Sequence, residues 1–309
     1  MMFALILAVV FPLSPITHAN NAPETAWNPP SQQIGAVDHV YLISKYETTV
    51  GQYCEFLNDG NSQYFPATQT PYIQVNLDNG TYVPAMNSDH PIETDYVGAV
   101  AFAAWMTIET GFDWWVPTES EWIKAAHYNP TTETYWWYPN SSNTRSTAST
   151  PTLDNNSCNS SPGTNGFEPV GSYPNSVGPW GLLDAAGNAH EWTSTYFEGD
   201  ELWEPNTYLM CRGGHWRWLS DHGQVGYRAG THRKQPTHTG QGFRLATEPY
   251  PGDLNFDGLV DYPDYQIFLT HFGTAGGWEE GDFNGDGLVD FLDFSDYFLP
   301  AFGTSDPRQ

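Results

Sequence analysis

The chain of 309 residues carries 10 Lys+Arg against 36 Asp+Glu, a formal charge of −26 that opposes binding to nucleic acid or anionic lipid and makes cations the natural partners. Aromatic residues reach 16%, which excludes an acidic disordered chain, and the length allows one large unit plus a small one. Cys54, Cys158 and Cys211 allow at most one internal bridge, so no disulfide framework holds the fold.

In chain order, the apolar run from Phe3 to Phe11 is too short to span a bilayer and is followed by Thr17-His18-Ala19, so residues 1–19 read as a secretory signal. The protein is then secreted, periplasmic or held at the cell surface, with no membrane span. A plain hydrophobic terminus is the alternative, because no Lys or Arg precedes the run. Residues 20–37, rich in Pro and Asn, read as an N-terminal arm, and a large domain is expected over 38–248. Its first strand is expected at Val40–Ser44. A helix follows Thr49, presenting Tyr53, Phe56 and Leu57, and a second covers about Ala99 to Ile108, presenting Val100, Ala103, Ala104 and Trp105. A third starts at Thr118, with Glu121 completing a Ser/Thr-x-x-Glu capping box, so both residues are assigned to structure. From Pro130 to Pro179 the density of Asn, Ser, Thr, Pro and Gly predicts a long irregular region that needs extra fastening.

From residue 249 to 309 the composition changes and a repeat appears. Asp253, Asn255, Asp257, Asp261 and Asp264 stand at positions 1, 3, 5, 9 and 12 of a loop with Gly258 at its turn and the Leu259 carbonyl at position 7. Asp282, Asn284, Asp286, Asp290 and Asp293 repeat the spacing with Gly287 and the Leu288 carbonyl. Oxygen ligands at this spacing wrap a hard cation, and their number favours Ca2+ over Mg2+; an acidic turn without metal is the plainer alternative. Behind each loop the sequence predicts a short helix, one with an apolar stripe of Tyr265, Phe268, Leu269 and Phe272, the other with Phe294, Tyr297 and Phe298. The paired loops and helices resemble a dockerin type I module, which implies a small all-α EF-hand domain that docks onto a cohesin-like partner. Tyr262-Pro263 and Phe291-Leu292 replace the Ser-Thr pairs that often make that contact.

Four segments of the large domain resemble the formylglycine-generating enzyme, or sulfatase-modifying factor, family: Tyr46 to Leu57; Ala99 to Trp105 with Val116 to Trp122; Gly181 to Trp192; and Arg212-Gly-Gly-His-Trp216 with Gly242-Phe-Arg-Leu245. The resemblance implies an α+β, C-type-lectin-like fold with much irregular structure. It also implies a structural calcium held by Asp184, Glu191 and the carbonyls of Gly187 and Ala189, against which a turn capped by Asn188 is the plainer reading. A second family site would use oxygens near Asn165 and Phe167. Members of the family generate formylglycine through a pair of copper-binding cysteines just beyond the Arg-Gly-Gly segment. Here His215 to Arg228 contains no Cys, and Cys211 lies on the other side of the motif, so that oxidase activity is not expected.

The expectation is therefore an exported, calcium-binding, divergent member used for binding or assembly on a protein or glycan ligand. One alternative is a metal oxidoreductase built on His215, His222, His232, His238 and Asp221, residues suited to iron, zinc or copper. Another is a component of a polysaccharide-degrading system, with Trp114, Trp115, Trp136, Trp137, Trp203 and Trp218 as sugar platforms, although core packing accounts for most indoles.

Overall fold

Local capping chemistry starts the helices that carry the core. Thr49 accepts the amide of Gln52, whose side chain accepts the Thr49 amide in return, and helix Val50–Asn58 follows. Thr118 and Glu121 close the same box at 3.1 and 2.6 Å at the start of helix Glu119–His127, as the spacing predicts. Helix Tyr96–Thr110 is capped by Asp95 and stops at Gly111, whose φ of +78° suits a residue without Cβ. The computed structural model describes residues 13–16, 37, 39–66, 73–197, 208–232 and 240–308.

Tyr53, Phe56 and Leu57 of the first helix are buried as expected. The second helix keeps half of its predicted face: Ala103 and Trp105 go inward as expected, joined by Ala99, Phe102 and Met106, while Val100 and Ala104 face outward. Spacing alone could not choose, because this helix is apolar nearly all round and its neighbours select the face. Phe102 meets Phe56 and Phe243 edge-on, and Trp192 and Cys211 join the same core.

Two four-stranded sheets complete the large unit, and neither closes into a barrel among the described residues. One runs Leu13–Ile16, Tyr41–Ser44, Ala246–Thr247, Trp114–Trp115; its edge strand pairs Leu13 with Ser44 inside the segment read as a signal. The other runs Ala229–His232, Tyr208–Arg212, His190–Tyr196, Gln241–Gly242, with Glu191 opposite Arg212 and Trp192 opposite Cys211. Between 130 and 179 only two-residue strands form. Side chains fasten the segment: Tyr173 Oη donates to the Ser149 carbonyl at 2.7 Å and Asn156 Nδ2 to that of Arg145 at 2.9 Å.

The C-terminal unit has helix Tyr262–His271 and a second helical segment from Phe291 to Ala301 that passes through a π-turn at Phe294–Phe298. Phe268 and Phe298 stack at 5.6 Å over Leu254 and Val289. The predicted stripe is only half covered, because this core reaches no further than Phe268; Leu269 and Phe272 stay 50% and 46% exposed. The tail then returns. Gly303 donates to the Val260 carbonyl, Asp306 to that of Gly258, and Arg308 passes over the Phe112 ring at 4.0 Å to donate to the Thr247 hydroxyl and the Glu248 carbonyl. Asp306 neutralises this buried guanidinium at 2.7 and 2.8 Å. The tail thus ties the first acidic loop to the large unit.

Candidate functional site

Strand His190–Tyr196 and the segment leading into it carry two polar clusters. Glu191 is wholly buried and receives Arg244 through both carboxylate oxygens at 2.6 Å, plus the Trp122 indole at 2.7 Å. Arg244 spends its other donors on the carbonyls of Ser44, Lys45 and Leu183. Asp184, at φ +60°, accepts the Gly171 amide at 2.6 Å, and burial pushes its carboxyl up to about 6. Glu47, which the sequence reading missed, accepts from the Ala189 amide and the Asn188 side chain at 2.7 and 2.6 Å; burial, then Asp184 and Glu191, raise it well above the usual range.

Three carboxylates here face one guanidinium, an imbalance that a divalent cation would offset, so the donor chemistry around Asp184, Gly187 and Ala189 fits calcium. The oxygens of Glu191, in contrast, are already engaged by Arg244 and Trp122. Gly187 lies at φ +86° and donates to the Gly213 carbonyl at 2.9 Å, which holds this turn against the Arg-Gly-Gly loop.

The acidic loops are wound around their own carboxylates. Asp253 accepts the amides of Asp257 and Gly258 at 3.1 and 3.0 Å, and Asp264 those of Leu254, Asn255 and Asp261 at 2.8, 3.0 and 3.0 Å. Asp282 and Asp293 repeat the pattern, the latter accepting from Phe283, Asn284 and Asp290. Asp257 and Asp286 accept the amides of Leu259 and Leu288, and Gly258 and Gly287 turn the chain at φ +85° and +86°. Burial, with Asp264 and Asp257 nearby, pushes Asp253 up to about 6, and the Asp261 carboxyl is raised too. In the first loop, then, burial and neighbouring carboxylates both disfavour the charged forms of Asp253 and Asp261, a cost that a bound cation would offset. Asn255, Asn284 and Asp290 complete the in-register set. Among the described residues no three His, Cys, Asp or Glu side chains converge as a formed metal centre.

The second polar cluster follows Arg212. Gly213 and Gly214 lie at φ +89° and +76°, and a Cβ on Gly214 would come within 3.0 Å of His222, so these glycines let the loop double back. Trp218 sits 4.5 Å from His215, 5.3 Å from His190 and 4.7 Å from His222 between ring centroids, and His222 stacks on Tyr227 at 4.2 Å. His190 escaped the sequence reading; it precedes Glu191 in the same strand, where four consecutive buried residues leave no alternation to single it out. Burial holds His190 well below the usual range, helped by His215 and His222; Arg145 adds to burial at His222. The side chain of His232, His238 and Trp203 lie outside the described residues. Cys54 and Cys158 are buried thiols pushed up to about 11 by burial, and Cys211 is packed in the aromatic core. Of the expected indoles, Trp114 is buried, Trp115 donates to Glu121, Trp218 is half-buried and Trp137 is 46% exposed.

Residues 14–249 match the family described as sulfatase-modifying factor enzyme 1-like domain. Among solved structures, CarF is similar over 77% of this chain and 98% of its own, with a TM-score of 0.55 and 16% identity. PvdO from Pseudomonas aeruginosa covers 78% of this chain and 93% of its own at 20% identity and a TM-score of 0.48. Treponema denticola variable protein 1 covers 77% and 95% at 17% identity and 0.45. No curated protein matches the chain. The CarF likeness concerns the fold of the large unit. No helix among the described residues is long and apolar enough to cross a membrane.

Proposed function

The chain belongs to the sulfatase-modifying factor enzyme 1-like domain family, and from that premise we propose an exported, calcium-binding, divergent member that binds a ligand and does not oxidise one. The observation that carries this reading is the make-up of the loop after Arg-Gly-Gly. His215, Trp218, His222 and Tyr227 pack where the family's chemistry calls for paired thiolates, while Cys211 lies in the core with Trp192 and Phe243. One buried thiol cannot supply a two-sulfur copper site.

Calcium enters this proposal at three places: the two acidic loops, and the turn formed by Asp184 and the carbonyls of Gly187 and Ala189, with Glu191 beside it. The cation's part is structural, balancing carboxylates that otherwise repel. The C-terminal unit is read as a dockerin-like pair of EF-hand loops that assembles the protein onto a partner, a cohesin-like module among the candidates. Exposed Tyr262, Phe291 and Leu292 offer an apolar contact there in place of Ser-Thr pairs.

Two measurements on the full chain test the proposal. Metal analysis after purification without added metals should return calcium; a stoichiometric transition metal would instead favour a histidine-based oxidoreductase around Trp218. Mass spectrometry of a sulfatase-type cysteine peptide incubated with protein and copper should show no formylglycine. Copper-dependent product that disappears in Cys211→Ser overturns the non-oxidising reading.

A further inference from the structure

In a chain of net charge −26, residues 205–247 run against the average. They hold Arg212, Arg217, Arg228, Arg233, Lys234 and Arg244, six of the ten Lys+Arg, and a single acid, Asp221. The fold holds part of this stretch in one loop between Arg212 and Arg228. Arg212 and Arg228 share the buried Glu119 carboxylate, at 3.0 and 2.7 Å, so pairing within that trio leaves one positive charge over. Arg145, from the irregular region, is drawn in by the Ser220 hydroxyl at 3.0 Å and Asp221 at 3.5 Å, and its side chain is half exposed. Arg217 lies exposed over the Trp216 ring at 4.6 Å. Arg212 holds the His127 and His190 rings toward neutrality in addition to their burial, whereas at His222 Asp221 outweighs Arg145, and Glu93 lies within electrostatic reach of Arg217.

Flat ring faces adjoin these cations. Trp218 and the stacked His222–Tyr227 pair are half-buried in the same loop, and Trp137, 46% exposed, takes the Val225 amide on its carbonyl at 2.9 Å and so borders it. Indole and phenol faces pack against the apolar faces of sugar rings, whereas guanidinium forks match carboxylate and sulfate. We infer that the loop from Arg212 to Arg228, with Trp137 and Arg145 at its border, is a binding site for a short acidic carbohydrate bearing carboxylate or sulfate groups. The inference deepens the ligand-binding reading above and rests on it. The ligand is short because the strongly negative remainder of the molecule repels a polyanion extending beyond the loop.

Calorimetric titration of the full chain in calcium tests this with four probes: an oligogalacturonate trisaccharide, a sulfated trisaccharide, a neutral galactose trisaccharide and a triglutamate peptide. At least one acidic sugar should bind, and the difference between the first two identifies the anion. The neutral sugar and the peptide should each bind at least about tenfold more weakly, because each supplies only the ring or only the charge. Arg217→Gln and Trp218→Ala should each weaken acidic-sugar binding about tenfold, with Arg217→Lys partly restoring it. Arg217 is exposed, so its variants should fold, and an unchanged melting curve checks this. Equal affinity for the neutral sugar, equal affinity for the peptide, or no heat with either acidic sugar overturns the inference. Calcium content and the absence of peptide oxidation are read separately, so failure here leaves those tests standing on their own results.

Discussion

The acidic loops at 253–264 and 282–293 and the basic loop at 212–228 crowd like charges by different means. In the acidic loops the crowding is local: oxygens at fixed positions of a twelve-residue spacing are brought together by backbone amides that bond to Asp253, Asp264, Asp282 and Asp293. In the basic loop it is tertiary, with Glu119 arriving from a distant helix to hold Arg212 and Arg228, and Arg145 from the irregular region. On the calcium proposal, local crowding is relieved by a cation that enters one loop, whereas tertiary crowding is relieved only if the whole large unit stays folded. Removing the relieving partner should therefore unfold a small part in the first case and weaken the large unit in the second.

Calcium withdrawal should have the largest effect. At a free concentration about 100-fold above Kd each loop gains about 2.7 kcal/mol, so two occupied loops add about 5 kcal/mol to a unit with a small core. Circular dichroism and hydrogen exchange in excess EDTA should show residues 252–303 opening while the large unit remains. Unchanged protection of Val260 and Phe268 would remove the calcium half of the comparison.

Glu119→Gln should come next. It leaves Arg212 and Arg228 facing each other at a buried position, where losing one partner of an ion group costs about 3–5 kcal/mol. Urea midpoints read it, and a loss below about 1 kcal/mol would mean the guanidiniums are relieved elsewhere.

Acidity should separate the regions by sign. Glu93, a buried carboxylate within electrostatic reach of Arg217 in the basic loop, is pushed up to about 7 by burial, so its folded value lies above its unfolded one. Its contribution to stability is full at and below the unfolded value and is lost as pH rises through 7, a change of up to about 3 kcal/mol. Glu93→Gln should flatten this slope in thermal melts. Calcium affinity should move the opposite way, falling as pH drops through the value of about 6 at Asp253.

Arg308→Ala should cost about 2 kcal/mol, since it removes the ring contact with Phe112 and the bonds to Thr247 and Glu248 that seat the tail. Faster proteolysis between residues 248 and 252 would report it; an unchanged rate would show that the first acidic loop holds without the clasp. The smallest change is Thr118→Ala, worth about 1 kcal/mol through the lost cap on Glu121 and visible as a small drop in Tm.

What was legible in the sequence is what short-range chemistry decides. The caps at Thr49 and Thr118 need residues three apart, the acidic loops need oxygens at set positions beside a glycine, and strand Tyr41–Ser44 needs only its apolar run; each lies within one stretch of chain. The family, too, was readable from four motifs in order, because each keeps its local spacing. The inward face of helix Tyr96–Thr110 was only half readable, because a helix apolar nearly all round takes its orientation from Phe56 and Phe243. Neither was the engagement of Glu191 by Arg244, 53 residues on, nor the arrival of Glu47 at the Asn188–Ala189 turn, 142 residues away. The gathering of His190, His215 and His222 about Trp218 and the return of Arg308 to Phe112 were likewise decided by the tertiary structure. Such contacts leave no period in the sequence, since partners far apart along the chain meet only when strand register and loop closure bring them together.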